Sequence, residues 1–358
     1  MELTRASREW ASRPNDERYL DLPSMRDRMY HTMDKSRTVV ASCRQVQAIP
    51  TDDNQGILIE GPNGQPYAPT HWAFGQLCQR ASSPAGYLRD LPAPLAADCL
   101  NYGLKFRRDI EDIGFLLEKD ESPVLRAATG PAYGRIWNAG ILDHVIDRFG
   151  DGVTGDFRVP GEFGKAVTIT KENTTLYASD RDMFIFLADE NHKIEVPNRR
   201  NGEPGLLSRG FFLWNSEVGS ATFGIGTFLF DYVCCNRIVW GATGYKEIKI
   251  RHTVSAPDRF IEQAQPILLA YANGSEKPIQ DAIANAKAHK LDDVNEWLTK
   301  RFSKSTASAL QAVHKREEAR PIETMWDVTV AATAHARSIP YQNERVELER
   351  KAGELLDF

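Results

Sequence analysis

LSRGFFLWNSEVGSATFGIGTFLFDYVCCNRIVWGATGYKEIKIRHT, running from Leu207 to Thr253, is the densest aromatic and β-branched stretch of the chain. Three polar signatures interrupt it where strands should end: Asn215-Ser216-Glu217, Cys235-Asn236-Arg237 and Arg251-His252. Period-two alternation divides the stretch into four strands. From Arg209 to Val218, one face carries Phe211 and Leu213 before turning polar at Asn215 and Glu217, and the other carries Phe212, Trp214 and Val218. From Thr222 to Val233 both faces are apolar, which predicts a central strand covered on both sides. Gly224 and Gly226 fall on the face of Phe228, and a strand-interior glycine marks a close approach of another group. A third strand spans Ile238 to Ala242. A fourth, Tyr245 to Thr253, turns Ile248, Ile250 and His252 one way and Lys249 and Arg251 the other.

Outward from this core, the chain divides into an N-terminal arm (1–37), an α+β core (38–254) and a C-terminal helical lobe packed on the core (255–358). In the arm, Tyr19, Leu22 and Met29 are the apolar anchors. Thr38 to Ile49 and Gly56 to Ile59 read as a strand pair, and Thr70 is placed to cap a helix burying Trp72, Ala73 and Leu77. A further helix, Pro94 to about Phe106, carries Leu95, Cys99, Leu100 and Leu104 and leads into Lys105, Arg107 and Arg108. Strands are expected at 107–117 and 123–127, with a helix following at the spacing of Ile136, Ile141, Val145 and Phe149. Beyond Ser255 the apolar period is helical throughout, and Pro266 should kink or shorten the first helix of that lobe. The fold class is therefore α+β: an antiparallel-rich mixed sheet core with an N-terminal hairpin-helix unit and a C-terminal helical lobe.

Composition restricts the function classes. A net charge of −5, from 44 Lys+Arg against 49 Asp+Glu, argues against coating nucleic acid by bulk charge, and leaves a local basic groove open. The chain has no run of 18 apolar residues, and MELTRASREW lacks a signal-peptide core, so a cytoplasmic protein without membrane contact is expected. The five cysteines show no metal-type spacing and read as reduced core thiols. None of the eight histidines forms H-x-H or H-E-x-x-H, and neither a phosphate-binding G-x-x-x-x-G-K-[ST] nor a G-x-S-x-G occurs. No metal or cofactor is expected. The remaining catalytic candidates are Glu217, Asn236 and His252, a carboxylate, an amide and an imidazole at strand ends. Alternatively, Glu217 is held by Arg237 and His252 in a structural network.

The motifs Asn215-Ser216-Glu217-Val218-Gly219, Tyr232-Val233-Cys234-Cys235-Asn236 and Ile250-Arg251-His252-Thr253 resemble a domain-of-unknown-function family titled phage/plasmid-like protein. Ala73 to Leu104, Leu125-Arg126-Ala127, Tyr133-x-Arg135-Ile136, and Trp326-Asp327-Val328 through Leu348 to Gly353 are similar to that family too. Arg237 departs from it, standing where a small residue is usual. The resemblance implies genes carried by phages and plasmids and brings no settled activity.

Two function classes follow. The first is a single-strand nucleic-acid-binding protein of phage or plasmid replication and recombination, of annealing type, binding DNA or RNA as a homo-oligomer. Its cations would be Lys249 and Arg251, an Arg199-Arg200 finger, and Lys105 with Arg107 and Arg108, beside aromatic rings able to stack on bases. The second is a host-directed, anti-defence factor, or a small-ligand enzyme using the rim of Glu217, Asn236 and His252. A binding role is preferred over an enzymatic one.

Overall fold

The computed structural model describes residues 13–61, 64–106, 112–119, 121–160, 168–199, 202–231, 236–238, 248–339 and 342–356. Strand β1 (Arg18–Tyr19) and helix α1 (Leu22–Lys35) precede β2 (Ser36–Ser42), β3 (Gln47–Pro50), β4 (Ile57–Glu60) and β5 (Pro66–Pro69). Helices α2 (His71–Arg80), α3 (Ala85–Asp90) and α4 (Ala93–Phe106) lead to β6 (Asp112–Glu118), β7 (Val124–Thr129) and α5 (Asn138–Phe149). A second block of strands holds β8 (Phe157–Arg158), β9 (Leu176–Ala178), β10 (Met183–Asp189) and β11 (Ile194–Val196). It continues with β12 (Gly205–Asn215), β13 (Phe223–Asp231), β14 (Asn236–Ile238) and β15 (Ile248–Ile250). The rest is helical. In α6 the segments Ala256–Arg259 and Gln265–Ala272 flank a π turn at Phe260–Ala264, and α7 (Lys277–Ala288), α8 (Val294–Arg301), α9 (Lys304–Glu318), α10 (Met325–Ala336) and α11 (Gln342–Glu354) follow.

The α+β class is thus observed, with two sheets. The nine-stranded sheet runs β1-β9-β10-β12-β13-β14, with β8, β11 and β15 pairing from the side. The six-stranded sheet runs β2-β6-β7-β5-β4-β3, antiparallel except for the β5/β7 pair. The antiparallel-rich mixed sheet core expected from the sequence is divided between these two sheets. Strands β6 and β7 pair with the N-terminal strands, because β2 lies alongside β6 over its whole length, Ser36 opposite Glu118 through Ser42 opposite Asp112.

Central β13 is apolar on both faces, as its alternation predicts. Phe223 and Ile225 join Phe211 and Leu213 of β12 against α1, α5 and α6. Phe228 joins Phe212, Trp214, Phe184 and Phe186 on the other face. That second face is a ladder of rings over glycines: Trp214 lies opposite Gly224, Phe212 opposite Gly226 and Phe228 opposite Gly210. A Cβ on Gly224 would stand 2.0 Å from the Trp214 ring, and one on Gly226 2.4 Å from the Phe212 ring. These glycines make room for rings.

The N-terminal segment packs more deeply than an arm held by sparse contacts. Helix α1, capped by the Asp21 carboxylate on Ser24 N, buries Leu22, Met25 and Met29, and β1 extends the large sheet beside β9. In α6 the π turn ends two residues before Pro266. A proline has no N–H for the residue four back and its ring crowds that carbonyl, so a wider turn upstream lets the helix continue. Helix α10 is buried on nearly every side and centres the C-terminal lobe.

Candidate functional site

The four motifs Leu125-Arg126-Ala127, Tyr133-x-Arg135-Ile136, Asn215 to Gly219 and Arg251 to Thr253 meet at one place, where the two sheets join. The Glu217 carboxylate is buried there with both oxygens engaged. Its Oε2 accepts from Arg126 Nη2 at 2.8 Å, and its Oε1 accepts from the backbone N–H of Asn138 at 2.8 Å, at the first turn of α5. A carboxylate at a helix N-terminus meets the positive end of the helix dipole. Arg126, on β7, also donates to Ser36 Oγ on β2 and lies 3.5 Å from Glu118.

The backbone of the same turn is gripped from several directions. Arg135 donates Nε to the Glu217 carbonyl and Nη1 to Thr38 Oγ1. Trp72 and Gln76 of α2 both donate to the Val218 carbonyl, at 3.0 and 2.7 Å. The Tyr133 hydroxyl donates to the Ser216 carbonyl, and Asn215 Nδ2 bridges the Ile136 carbonyl and Asn138 Oδ1. Gly219 closes the turn at φ +85°, in the left-handed region that favours glycine. Burial pushes the Tyr133 phenol up and the Arg135 guanidinium down from their ordinary values.

His252 stands at the edge of this junction. Its ring stacks on Tyr133 with centroids 4.9 Å apart, and Nδ1 donates to the Gly134 carbonyl at 3.0 Å while Gly134 N donates to the His252 carbonyl. Gly134 is obligatory there, since a Cβ would fall 1.8 Å from the Thr253 carbonyl oxygen. Nε2 is buried with no hydrogen-bond partner among the described residues. Burial, with the Arg135 charge adding to it, pushes the imidazole down to about 4.

The acid response follows. His252 is neutral in the fold, whereas in the unfolded chain it titrates near 6.5. Protons therefore favour the unfolded chain. Stability should be fully present above about pH 6.5 and decline by at most ~3 kcal/mol as the pH falls towards 4. Burial depresses His335 in the same direction. Denaturation midpoints compared near pH 7.5 and near pH 5 should fall less for His252→Gln than for the parent, and parallel falls would contradict the assignment.

The catalytic trio does not converge. Ile250, two residues before His252, pairs with Phe223 at one end of β13, whereas Asn236 pairs with Asp231 at the other. Nine strand residues span about 26 Å, so Asn236 is remote from Glu217 and His252. Glu217 takes Arg126 as its charge partner, while Arg237 lies beside Phe230 at the far end of the strand.

The candidate cations have different fates. Lys249 and Arg251 are exposed, flanking the buried Ile250 as the alternation requires. Arg199 is not an exposed finger: it is 1 % exposed, with Nη1 2.9 Å from Asp231 and Nη2 2.9 Å from Glu318. Pairing of β11 with β12 draws the hairpin tip inward, and two buried carboxylates require a buried cation. Lys105 is exposed, and Arg107, Arg108 and Arg200 lie outside the described residues. Cys43 and Cys78 are buried and Cys99 is half-buried, while Cys234 and Cys235 lie outside the described residues.

Helix α4 shows a feature that sequence reasoning missed. Its buried face is Ala93, Ala96, Ala97, Leu100 and Leu104, so of the expected residues Leu100 and Leu104 are buried, Cys99 is half-buried and Leu95 is exposed. Beside that face Leu95, Tyr102 and Phe106 are exposed, while Cys99 between them is half-buried against the core. Tyr102 and Phe106 are each 69 % exposed, with ring centroids 4.9 Å apart. The signal was an excess of apolar residues over what one helix face can bury.

Asp189, His192 and Glu276 place potential metal-ligand atoms within 4.8 Å of one another. The Asp189 carboxylate is already engaged, accepting from the His192 and Asn191 backbone N–H groups and from Arg209 Nε at 3.2 Å. A guanidinium thus stands beside the carboxylate that a cation would need.

Fold and site together define an α+β protein whose two sheets are locked by a buried polar junction. The chain belongs to the domain-of-unknown-function family DUF932, which it matches over residues 166–350. No curated protein and no solved structure matches it.

Proposed function

We propose that this protein binds single-stranded nucleic acid, in the phage or plasmid replication and recombination setting that the resemblance implies. The exposed ring pair Tyr102 and Phe106, beside Lys105 on the same helix, carries the proposal. Exposed rings offer a stacking surface to any base, and neighbouring cations attract the phosphates. Arg107 and Arg108 follow directly in the chain, and Lys249 with Arg251 add a second basic pair. A catalytic reading lacks comparable support, since Glu217 has no free oxygen and Asn236 is remote from it. Among the described residues no helix is long and apolar enough to cross a membrane.

Fluorescence anisotropy with a labelled oligothymidylate, across a salt series, tests this. Stacking is worth about 1–3 kcal/mol per base, so Tyr102→Ala with Phe106→Ala should weaken binding about tenfold or more with an unchanged salt slope. Lys249→Glu with Arg251→Glu should weaken binding and flatten the slope, because fewer counterions are released. Both pairs are exposed, so folding should be intact. Absence of binding at low salt, or equal affinity for duplex, would overturn the proposal.

The exposure of Leu95, Tyr102 and Phe106 along one side of the helix supports a second reading, self-association of helix α4 with its copy. Light scattering separates the two. A change in oligomeric mass on Tyr102→Ala with Phe106→Ala, without a change in oligonucleotide affinity, assigns these side chains to self-association.

A further inference from the structure

Among the described residues, α2 and α4 roof only part of one face of the six-stranded sheet. Helix α2 packs along β7 and α4 along β3, where Asn101 exchanges two hydrogen bonds with the Ala48 backbone. At the other end of the strands the face opens into a cavity of 380 Å³. Its walls are apolar: Val39, Ile59, Tyr67, Phe115, Leu117 and Leu125. Tyr67 shows it only a ring, because its hydroxyl is turned to Gln65 Oε1 at 3.0 Å.

Among the described residues Arg37 is the one charged residue lining this cavity. It shares the face of Val39, two positions along β2, and lies opposite Leu117 in the strand register. The nearby strand carboxylates belong to the other face. Glu118, opposite Ser36, reaches Arg126 at the sheet junction, and Glu60 alternates with the inward-facing Ile59. Arg37 is exposed and has no ion-pair partner among the described residues. An apolar hollow of this size with a single polar anchor has the form of a small-molecule site. A guanidinium fork as that anchor selects a carboxylate or a similar planar anion.

We propose that this cavity binds a small monoanionic amphiphile, an aliphatic or aromatic acid, with its carboxylate on Arg37 and its apolar body on the Phe115, Leu117 and Leu125 wall. The site shares no residue with the ring pair of α4 or with Lys249 and Arg251. It lies outside the region matched by the family, residues 166–350.

Displacement of anilinonaphthalene sulfonate from the full chain by decanoate and by decanol tests the proposal. Decanoate should displace the dye at about tenfold lower concentration than decanol, the usual worth of a partly exposed charged hydrogen bond. Arg37→Gln should abolish that preference and leave decanol unchanged. Leu117→Trp, filling the cavity, should remove displaceable dye altogether. Should that variant fail to fold, Val39→Trp at the half-buried rim serves the same purpose. Dye that neither compound displaces would overturn the proposal, as would equal displacement by both or a decanoate preference that survives Arg37→Gln.

Discussion

Glu217→Ala is expected to lower stability by about 3–5 kcal/mol, the cost of breaking a buried ion pair by removing one partner. Arg126 would keep its charge while losing the 2.8 Å contact, and the Asn138 N–H at the start of α5 would lose its acceptor. Glu118, 3.5 Å from Arg126, is placed to recover part of the loss. Glu217→Gln should cost less, because an amide oxygen still satisfies Asn138 N. Equilibrium denaturation measures both, and a loss below about 1 kcal/mol for Glu217→Ala would show that the junction repacks around Arg126. A double-mutant cycle with Arg126→Met then isolates the pair.

Phe228→Ala should be similarly costly, about 3–5 kcal/mol, for a different reason. The Phe228 ring is buried, stacks on Phe186 at 4.3 Å between centroids, and fills the space above Gly210, where a Cβ would come within 2.2 Å of it. Its removal leaves a cavity against a glycine backbone, which has no side chain to move into the gap. A melting temperature equal to the parent's would mean that the ring ladder is not part of the cooperative core.

The two substitutions probe different links in the fold. Phe228 tests packing within one sheet, whereas Glu217 tests the polar contact between sheets. Arg126, Ser36, Thr38, Trp72 and Gln76 come from the six-stranded sheet and its helix, and Asn215 to Gly219 from the nine-stranded sheet. Loss of the carboxylate should therefore weaken the coupling of the sheets before it disturbs either interior.

Local pattern was enough for much of this. Alternation in β12 and β13 predicts which of Phe211, Phe212, Leu213 and Trp214 share a face, because a strand's side chains strictly alternate. Gly224 and Gly226 announce close approach, Thr70 marks a helix start, and the unbroken helical period after Ser255 marks the C-terminal lobe. The motif Asn215 to Gly219 was recognisable as a site of special demand. Its nature was not, because polar residues at a strand end look the same whether they bind substrate or lock a junction.

What the sequence alone determined is the α+β class, the buried faces of β12 and β13 and the helical character of the C-terminal lobe, written in spacings of two and of three to four residues. Tertiary structure alone decided the partners. Glu217 meets Arg126, 91 positions away, and not the nearer Arg237, because β13 separates the ends of its own sheet by about 26 Å. Arg199 turned from a surface cation into a buried one because Asp231 and Glu318, from a strand and a helix far along the chain, close around it. Tyr102 and Phe106 were left outside because α4 has one face to bury and its small residues, not its rings, fit against the sheet. Charge pairing and exposure depend on distances through space, which local periodicity does not encode.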